Sequence, residues 1–256
     1  MRTHGLRSIA SGWVLGLIGA WISPAAFAAE VHVAVAANVA GPMQKIAALF
    51  QQDTGHVAKL SVGSTGKFYA QIQHGAPFEV LLAADDETPR KLEEDKRTVP
   101  GTRFTYAIGR LALWSARSDG VDAQGEVLKR AGRDRLAIAD PRLAPYGAAA
   151  LQVLSRLQLR ELWQDRIVQG ENIAQAWQFV ATGNASFGFV ALSQIWMDGR
   201  LTQGSFWLVP EELHDSLRQD AVLLLAGKDN PAARAWLDYV RSDKARAVLR
   251  QSGYRF

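Results

Sequence analysis

Hydroxyl, amide and backbone donors recur at four positions, each directly before or at the start of a predicted helix. They are Ala37-Asn38, Ser64-Thr65, Tyr146 and Ile173. The first turn of a helix has unpaired N–H groups and carries the positive end of the helix dipole. Residues of these types at such places suit the binding of an anion by neutral donors. Taken singly, Asn38, Thr65 and Asn172 are also ordinary N-cap types, so simple capping stays open at each position.

Signatures of catalysis and of metal binding are weak. His4, His32, His56, His74 and His214 show no metal-ligand spacing, and neither His-Glu-x-x-His nor Gly-x-Ser-x-Gly occurs. With no Cys, the chain has no thiolate nucleophile, thiolate metal site or disulfide. We expect no catalytic residue and no directly bound metal cation, although a triad of distant residues stays open.

The segment Gly63-Ser64-Thr65-Gly66-Lys67 has part of the phosphate-loop pattern of nucleotide hydrolases. The pattern fails because Ser61 stands where the first Gly is needed. Phe68 stands where Ser or Thr would bind magnesium. We therefore expect a hydroxyl-rich turn between a strand and a helix, and no nucleotide site.

Strand-like and helix-like segments alternate along the chain. Strands are predicted at 31–36, 57–62 and 79–83, and helices at 42–52, 67–74 and 87–95. A second block follows, with one long strand region, further strands, and helices that end the chain. Its strands are predicted at 103–115, 136–139, 166–168, 187–190, 205–209 and 221–225, and its helices at 147–157, 173–182, 231–241 and 244–251. This order predicts an α/β fold with mainly parallel sheets.

Residues 1–28 are typical of a cleavable signal peptide. Arg2 and Arg7 precede an apolar run at 9–22, and Ala26-Phe27-Ala28 is a small-x-small cleavage site. The run is shorter than the roughly 20 residues of a membrane span, although an N-terminal anchor is the alternative. We expect a mature periplasmic protein that begins near Ala29.

The net charge of the mature chain is small. The 29 Lys and Arg and 25 Asp and Glu of the whole chain give +4, and loss of two Arg with residues 1–28 leaves +2. The basic residues are interspersed with acidic ones and form no stripe with aromatic residues. We therefore expect no nucleic-acid partner.

Several motifs together resemble one known family. They are Ala-Ala-Asn at 36–38, Gly-Ser-Thr-Gly-Lys-Phe-Tyr-Ala-Gln-Ile-Gln-His-Gly-Ala-Pro-Phe-Glu-Val at 63–80, Ala-Ala-Asp at 83–85, Ala-Asp-Pro at 139–141, Pro-Tyr-Gly at 145–147, Phe-Gly-Phe-Val at 187–190 and Gly-Tyr at 253–254. In this order they resemble the periplasmic molybdate-binding proteins of ABC importers, across residues 29–256. The segment from Gly63 to Asp85 is the most specific part.

The resemblance implies a type II periplasmic binding protein of two lobes. Each lobe would be a mainly parallel sheet flanked by helices, with the ligand in the cleft between them. We expect lobe 1 at 29–109 plus 222–256 and lobe 2 at 110–221. The chain would capture molybdate, and tungstate of nearly the same size, as a monomer with no cofactor. It would deliver the oxyanion to permease subunits of an ABC transporter.

The resemblance also implies the ligand residues. Asn38 stands where many members have Ser, as in a subgroup that also carries a ligand Tyr at the position of Tyr146. Thr65 stands where the family usually has Ser, with Ser64 as the adjacent alternative. Ile173 would contribute a backbone N–H, and Ala37 adjoins Asn38.

Three alternatives stay open beside this interpretation. The chain could bind another oxyanion, such as sulfate or phosphate. Asp85 and Asp140 keep the phosphate alternative open, because a protonated phosphate needs an acceptor. The second alternative is an exported enzyme, which unlike a binding protein would not return the anion unchanged. The third is an interaction protein with a vestigial cleft, which would show no ligand-dependent stabilisation. We expect both acids to be structural or capping residues.

Overall fold

The computed structural model of the protein describes residues 1, 28–130 and 132–256. Of the predicted signal peptide at 1–28, residues 2–27 lie outside the described part. Strands and helices are each numbered in chain order. In the described part, no helix is long and apolar enough to cross a membrane.

The first sheet has five strands in the order β2-β1-β3-β12-β4. They are β1 (Glu30–Ala36), β2 (Val57–Gly63), β3 (Val80–Leu82), β4 (Phe104–Gly109) and β12 (Leu217–Leu223). β1 is parallel to β2 and β3, and β12 is antiparallel to β3 and β4. The helices of this lobe are α1 (Ala40–Thr54), α2 (Thr65–Gln73), α3 (Glu87–Glu94), α8 (Pro231–Arg241) and α9 (Asp243–Gln251).

The second sheet repeats this plan in the order β11-β5-β8-β6-β7. Its strands are β5 (Leu111–Ser115), β6 (Leu136–Ala139), β7 (Ile167–Gly170), β8 (Phe187–Ala191) and β11 (Ser205–Leu208). β6 is parallel to β7 and β8, and β5 is antiparallel to β8 and β11. This lobe also contains α4 (Pro145–Arg156), α5 (Arg160–Trp163), α6 (Ile173–Ala181), α7 (Leu192–Ile195) and a small hairpin of β9 (Trp196–Met197) and β10 (Arg200–Leu201).

The predicted α/β class with mainly parallel sheets is confirmed, since β12 and β5 are the strands that run against the others in the two five-stranded sheets. The predicted single strand region at 103–115 is wrong. The chain leaves the first sheet after Gly109 and enters the second at Leu111. Apolar residues continue on both sides of Arg110, so their pattern does not reveal the change of sheet.

The chain returns to the first sheet earlier than predicted. β12 begins at Leu217, four residues before the predicted strand at 221–225. The predicted lobe boundary at 109/110 lies between β4 and β5, whereas the one at 221/222 falls inside β12. Gln219 and Asp220 are polar yet buried, and they conceal the first half of this strand from a hydrophobicity pattern.

Apolar periodicity explains how each lobe closes over its sheet. Val31, Val33 and Val35 alternate along β1 and are buried with Met43 and Phe50 of α1. The second lobe has its own core, which includes Trp114, Trp163, Phe189, Val153 and Ile138. Because α1, α2, α4 and α6 follow the carboxyl ends of parallel strands, their N-termini lie at one edge of each sheet, where the lobes face each other.

Candidate functional site

A small cavity lies where the starts of these four helices meet. It is lined from both lobes by Ala36, Ala37, Asn38, Gly63, Ser64, Thr65, Ala84, Ala144, Pro145, Tyr146, Asn172 and Ile173. All six predicted ligand residues are among them. Its volume of about 10 Å³ suits about one water molecule, so a tetrahedral oxyanion enters only if the surrounding groups move apart.

Local sequence explains how the donors reach the cavity. Asn38 lies in a short 3-10 helix (Ala37–Val39) that joins β1 to α1. Ser64 is the N-cap residue of α2, and its side chain makes no capping hydrogen bond. Pro145 begins α4, where its missing N–H costs nothing, and it places Tyr146 in the first turn. The first turns of these helices thus face the cavity with their donors.

Asn172 behaves as a capping residue. Its Oδ1 accepts from the backbone N–H groups of Ala174 and Gln175 at 2.9 and 3.1 Å. These bonds fix the start of α6, where Ile173 is the first residue. The carbonyl oxygen of Ile173 accepts from Gln194 Nε2 at 3.1 Å, so its backbone is held in place from a second side.

Three residues that line the cavity carry buried hydroxyl groups. Within residues 28–130 and 132–256, Ser64 Oγ has no hydrogen-bond partner. Thr65 Oγ1 accepts from the backbone N–H of Ala84 at 3.0 Å, which leaves its own hydrogen unassigned. Tyr146 Oη accepts from Gln219 Nε2 at 3.0 Å, and Asn38 and Tyr254 also lie within hydrogen-bond range of it. Because an unpaired buried polar group is costly, the hydroxyl of Ser64 points to a ligand with acceptor atoms.

The hydroxyl of Tyr146 stays protonated at neutral pH. Tyr146 is 1 % exposed. Burial, followed by the neighbouring Tyr254, raises the pKa of Tyr146 well above its ordinary value. It therefore acts as a neutral donor and adds no negative charge beside an anion.

Asn38 lines the cavity, but its amide hydrogens are used within the protein. Its Nδ2 donates to Gln219 Oε1 and to the hydroxyl of Tyr254, both at 2.9 Å. The backbone carbonyl oxygen of Asn38 accepts from Ser193 Oγ at 2.6 Å and from the Tyr254 hydroxyl at 2.9 Å. Asn38 is thus the centre of a buried polar network between the lobes, and its role as a ligand stays a prediction.

The charged groups nearby lie outside the cavity lining. Asp140 binds Arg142 through two side-chain hydrogen bonds, of 3.0 and 3.2 Å, and also accepts from its backbone N–H. The Arg142 guanidinium holds the pKa of this carboxyl below its ordinary value. Asp85 accepts from the backbone N–H of Thr88 at 2.8 Å and so caps the start of α3. Both acids have the structural contacts that we expected of them.

A wider cleft adjoins the cavity. Its volume is about 440 Å³, and its walls carry acidic and basic side chains from both lobes, among them Asp85, Lys91, Arg142 and Asp215. This mixture of charges differs from the neutral donors of the small cavity. Among the described residues, no group of three or more His, Cys, Asp or Glu could hold a metal ion.

The polar network also contains three residues that were not predicted from the sequence: Gln219, Ser193 and Tyr106. Gln219 is fully buried in β12, and Tyr106 donates to its Oε1 at 2.9 Å. No motif marks these residues, because each is a single polar residue within or beside an apolar segment. Tyr254 was visible only as part of the Gly-Tyr motif near the C-terminus.

Comparison with known proteins agrees with this architecture. Residues 31–255 match the family model of the bacterial extracellular solute-binding proteins. A molybdate-binding protein of Azotobacter vinelandii is 57 % identical over 94 % of this chain and 96 % of its own length. One of Rhodobacter capsulatus is 47 % identical over 96 % of this chain and 95 % of its own length.

Solved structures confirm the predicted type II periplasmic binding protein fold. The structure of a periplasmic molybdate-binding protein of Azotobacter vinelandii superposes with a TM-score of 0.86 and 39 % identity, over 88 % of this chain and 99 % of that one. A sulfate-binding protein of Mycobacterium tuberculosis, at 11 % identity and a TM-score of 0.74, over 89 % of this chain and 86 % of that one, shares the fold alone. The chain belongs to the bacterial extracellular solute-binding protein family.

Proposed function

We propose that this protein binds molybdate outside the cytoplasm and delivers it to an ABC importer. The observation that carries the proposal is the cavity between the lobes, which is lined by hydroxyl groups and helix starts and by no charged side chain. Relatives named as molybdate-binding proteins, at 57 % and 47 % identity over nearly the whole chain, support the same ligand.

The chemistry of the ligand fits these donors. Molybdate is a tetrahedral dianion that carries no proton at neutral pH, so every one of its oxygen atoms accepts hydrogen bonds. Ser64, Thr65 and Tyr146 each have a hydroxyl hydrogen to donate, and the first turns of the helices add backbone N–H groups. Tungstate has nearly the same size and charge, so it binds too. Sulfate is smaller, and cavity size is the basis of selection against it.

Binding follows a cycle of opening and closing. The anion enters between separated lobes, which then close around it by a hinge motion and exclude water. In the resulting low dielectric each hydrogen bond to the anion becomes stronger. The closed form is the one that permease subunits recognise. The protein acts as a periplasmic monomer after removal of its signal peptide, and it uses no cofactor and catalyses no reaction.

A thermal-shift titration tests the proposal. The mature chain, residues 29–256, is melted with molybdate, tungstate, sulfate and phosphate in separate series. Ligand at about 100 times its dissociation constant stabilises a fold by about 2.7 kcal/mol, which is several degrees in melting temperature. We expect stabilisation at micromolar molybdate and tungstate and none from sulfate or phosphate at the same concentration.

Other results of the titration would overturn the proposal. Stabilisation by sulfate or phosphate alone would assign the protein to another oxyanion. No stabilisation by any of the four anions would contradict oxyanion binding. Recovery of unchanged molybdate after denaturation of the complex separates a binding protein from an enzyme.

A further inference from the structure

Gln219 connects the two lobes directly behind the cavity. Its side chain lies in β12 of the first sheet, is fully buried and donates through Nε2 to Tyr146 Oη of α4 at 3.0 Å. Its Oε1 accepts from Asn38 Nδ2 and from the Tyr106 hydroxyl, both at 2.9 Å. Gln219 does not line the cavity itself, but two of its partners, Asn38 and Tyr146, do.

The partners of Gln219 determine the orientation of its amide. Asn38 Nδ2 is a donor, and it can meet only the oxygen of the Gln219 amide. The nitrogen of that amide must then face Tyr146. A phenol that accepts from an amide N–H directs its own hydrogen elsewhere, and Tyr146 is packed against the cavity. The hydrogen of Tyr146 is then left for the hydroxyl of the neighbouring Tyr254 or for the cavity, and an anion in the cavity is the stronger acceptor of the two.

We propose that Gln219 is a positioning residue for anion binding, which acts by orienting the hydroxyl hydrogen of Tyr146 toward the cavity. This inference rests on the proposed oxyanion function, because an acceptor-rich anion is what such an orientation serves. Gln219 does not contact the anion. Because Gln219 fixes the orientation of this hydroxyl before the anion binds, binding does not include the free-energy cost of reorienting it.

The first test is a double-mutant cycle with Gln219→Met and Tyr146→Phe. Met has a similar length to Gln, but it neither donates to Tyr146 nor accepts from Asn38. We expect Gln219→Met to weaken molybdate binding, measured by isothermal titration calorimetry, about tenfold. In the Tyr146→Phe background the same change should have at most about a twofold effect, since no hydroxyl hydrogen is left to orient. Equal effects in both backgrounds would overturn the inference and indicate a merely structural role.

The second test is the pH profile of Gln219→Glu. A protonated carboxyl can donate to Tyr146 and accept from Asn38 as the amide does, whereas a carboxylate only accepts. The ionised form would draw the Tyr146 hydrogen away from the cavity. Binding then requires one proton, and the dissociation constant should rise with pH, approaching tenfold per pH unit above the pKa of the introduced carboxyl. Wild-type protein should show a constant affinity.

The neighbouring titratable groups keep their charge between pH 7 and about pH 9.5, so this range suits the measurement. Burial raises the pKa of Tyr106, Tyr146 and Tyr254 above the ordinary value, so all three stay neutral up to about pH 9.5. Asp220 faces away, toward Arg103 at 2.9 Å and Thr105. Asp85, which has a pKa of about 6 because of its burial, is ionised above pH 7. Titration from pH 7 to 9.5 therefore reports on the introduced carboxyl, whose ionisation is followed by carbon-13 NMR.

Gln178→Glu is the matched control for Gln219→Glu, because it makes the same change at an exposed position of α6. It should leave both the affinity for molybdate and the pH dependence of that affinity unchanged. An affinity of Gln219→Glu that stays constant while its carboxyl ionises would overturn the inference. A wild-type protein that binds no molybdate would instead contradict the proposed function, before either variant is considered.

Discussion

The backbone N–H of Gly66 donates to the carbonyl oxygen of Leu143 at 2.9 Å and joins the two lobes beside the cavity. Gly66 belongs to the first turn of α2, and Leu143 precedes α4. A Cβ atom on Gly66 would lie 3.0 Å from Leu143 Cα and 3.1 Å from its carbonyl oxygen. The approach of the lobes therefore depends on the missing side chain at position 66, and the lobes cannot separate without breaking this bond.

Gly66→Ala should weaken molybdate binding by favouring the open form. Overpacking of a close contact costs about 1–3 kcal/mol, and in this case separation of the lobes relieves it. We expect a dissociation constant roughly 5 to 150 times higher, with the melting temperature of the unliganded protein little changed. Calorimetric titration and thermal melting measure the two quantities.

Gly41→Ala is the matched control for this variant. Gly41 also lies in the first turn of a helix, α1, and no atom lies within 4 Å of a Cβ built on it. The exchange should leave affinity unchanged and stabilise the fold by about 0.4–1 kcal/mol through reduced freedom of the unfolded chain. Equal affinities of the two Ala variants would contradict the role assigned to Gly66.

Lys67 and Glu171 form a second contact across the lobes, at 2.7 Å between Nζ and Oε2. No sequence motif indicates this ion pair with the other lobe. Both side chains are largely exposed, so the pair contributes at most about 1 kcal/mol. Lys67→Met should raise the molybdate dissociation constant no more than about fivefold, and the effect should vanish in 0.5 M salt because screening removes it.

Lys45→Met provides the comparison for that salt series. Lys45 is exposed on α1, and within the described residues it forms no ion pair. Lys45→Met therefore removes the same positive charge as Lys67→Met but leaves the contact between the lobes unchanged. An effect of Lys67→Met that exceeds tenfold, or that persists at high salt, would show that Lys67 interacts with the anion itself.

Tyr146→Phe should weaken binding of molybdate by about 1–3 kcal/mol, or roughly 5- to 150-fold, because one donor to a charged ligand is lost. Ile173→Val is the matched control, since only the backbone of this residue is expected to serve the anion, and its affinity should stay within about twofold of wild type. Calorimetric titration of both variants gives the comparison. An unchanged affinity of Tyr146→Phe would remove Tyr146 from the set of ligands.

The starts of α1, α2 and α4 lie two residues before the predicted ones, and that of α6 was predicted correctly, because helix starts combine donors with a change of periodicity. Gly63-Ser64-Thr65-Gly66 separates an alternating strand from a helical segment, and Pro145 marks the first residue of α4. That the four starts form a single cavity does not follow from local pattern. It came from the resemblance to a known family, and the structure brings the six residues together.

The polar network behind the cavity could not be predicted from sequence. Asn38 and Gln219 are 181 residues apart, and their contact exists only once both lobes are folded. Gln219 lies in a strand whose first half is too polar for an apolar pattern, and its Nε2 meets Tyr146 of the other lobe. The contacts of Gln219 belong to tertiary structure, whereas the predicted ligand residues lie at helix starts that local sequence reveals.

Asp85 should make stability depend on pH in the direction opposite to most carboxylates. Burial raises its pKa from 3.8 in the unfolded chain to about 6 in the folded protein. Between these values the folded state holds more protons, so the contribution of Asp85 to stability falls as pH rises from about 4 to 6 and stays low above that range. The shift corresponds to about 3 kcal/mol at most, and partial access to water reduces it to about 1–3 kcal/mol.

Asp85→Asn tests this contribution, because Asn can still accept from the Thr88 backbone N–H without becoming charged. Urea denaturation should show the variant to be more stable than wild type at pH 7.5, by about 1–3 kcal/mol, and nearly equal to it at pH 4. Asp86→Asn, at the exposed neighbouring position, measures the effect of losing any negative charge at this end of α3. An equal difference in the free energy of unfolding between Asp85→Asn and wild type at both pH values would contradict this prediction. It would show that the buried charge of Asp85 does not lower the stability of the protein.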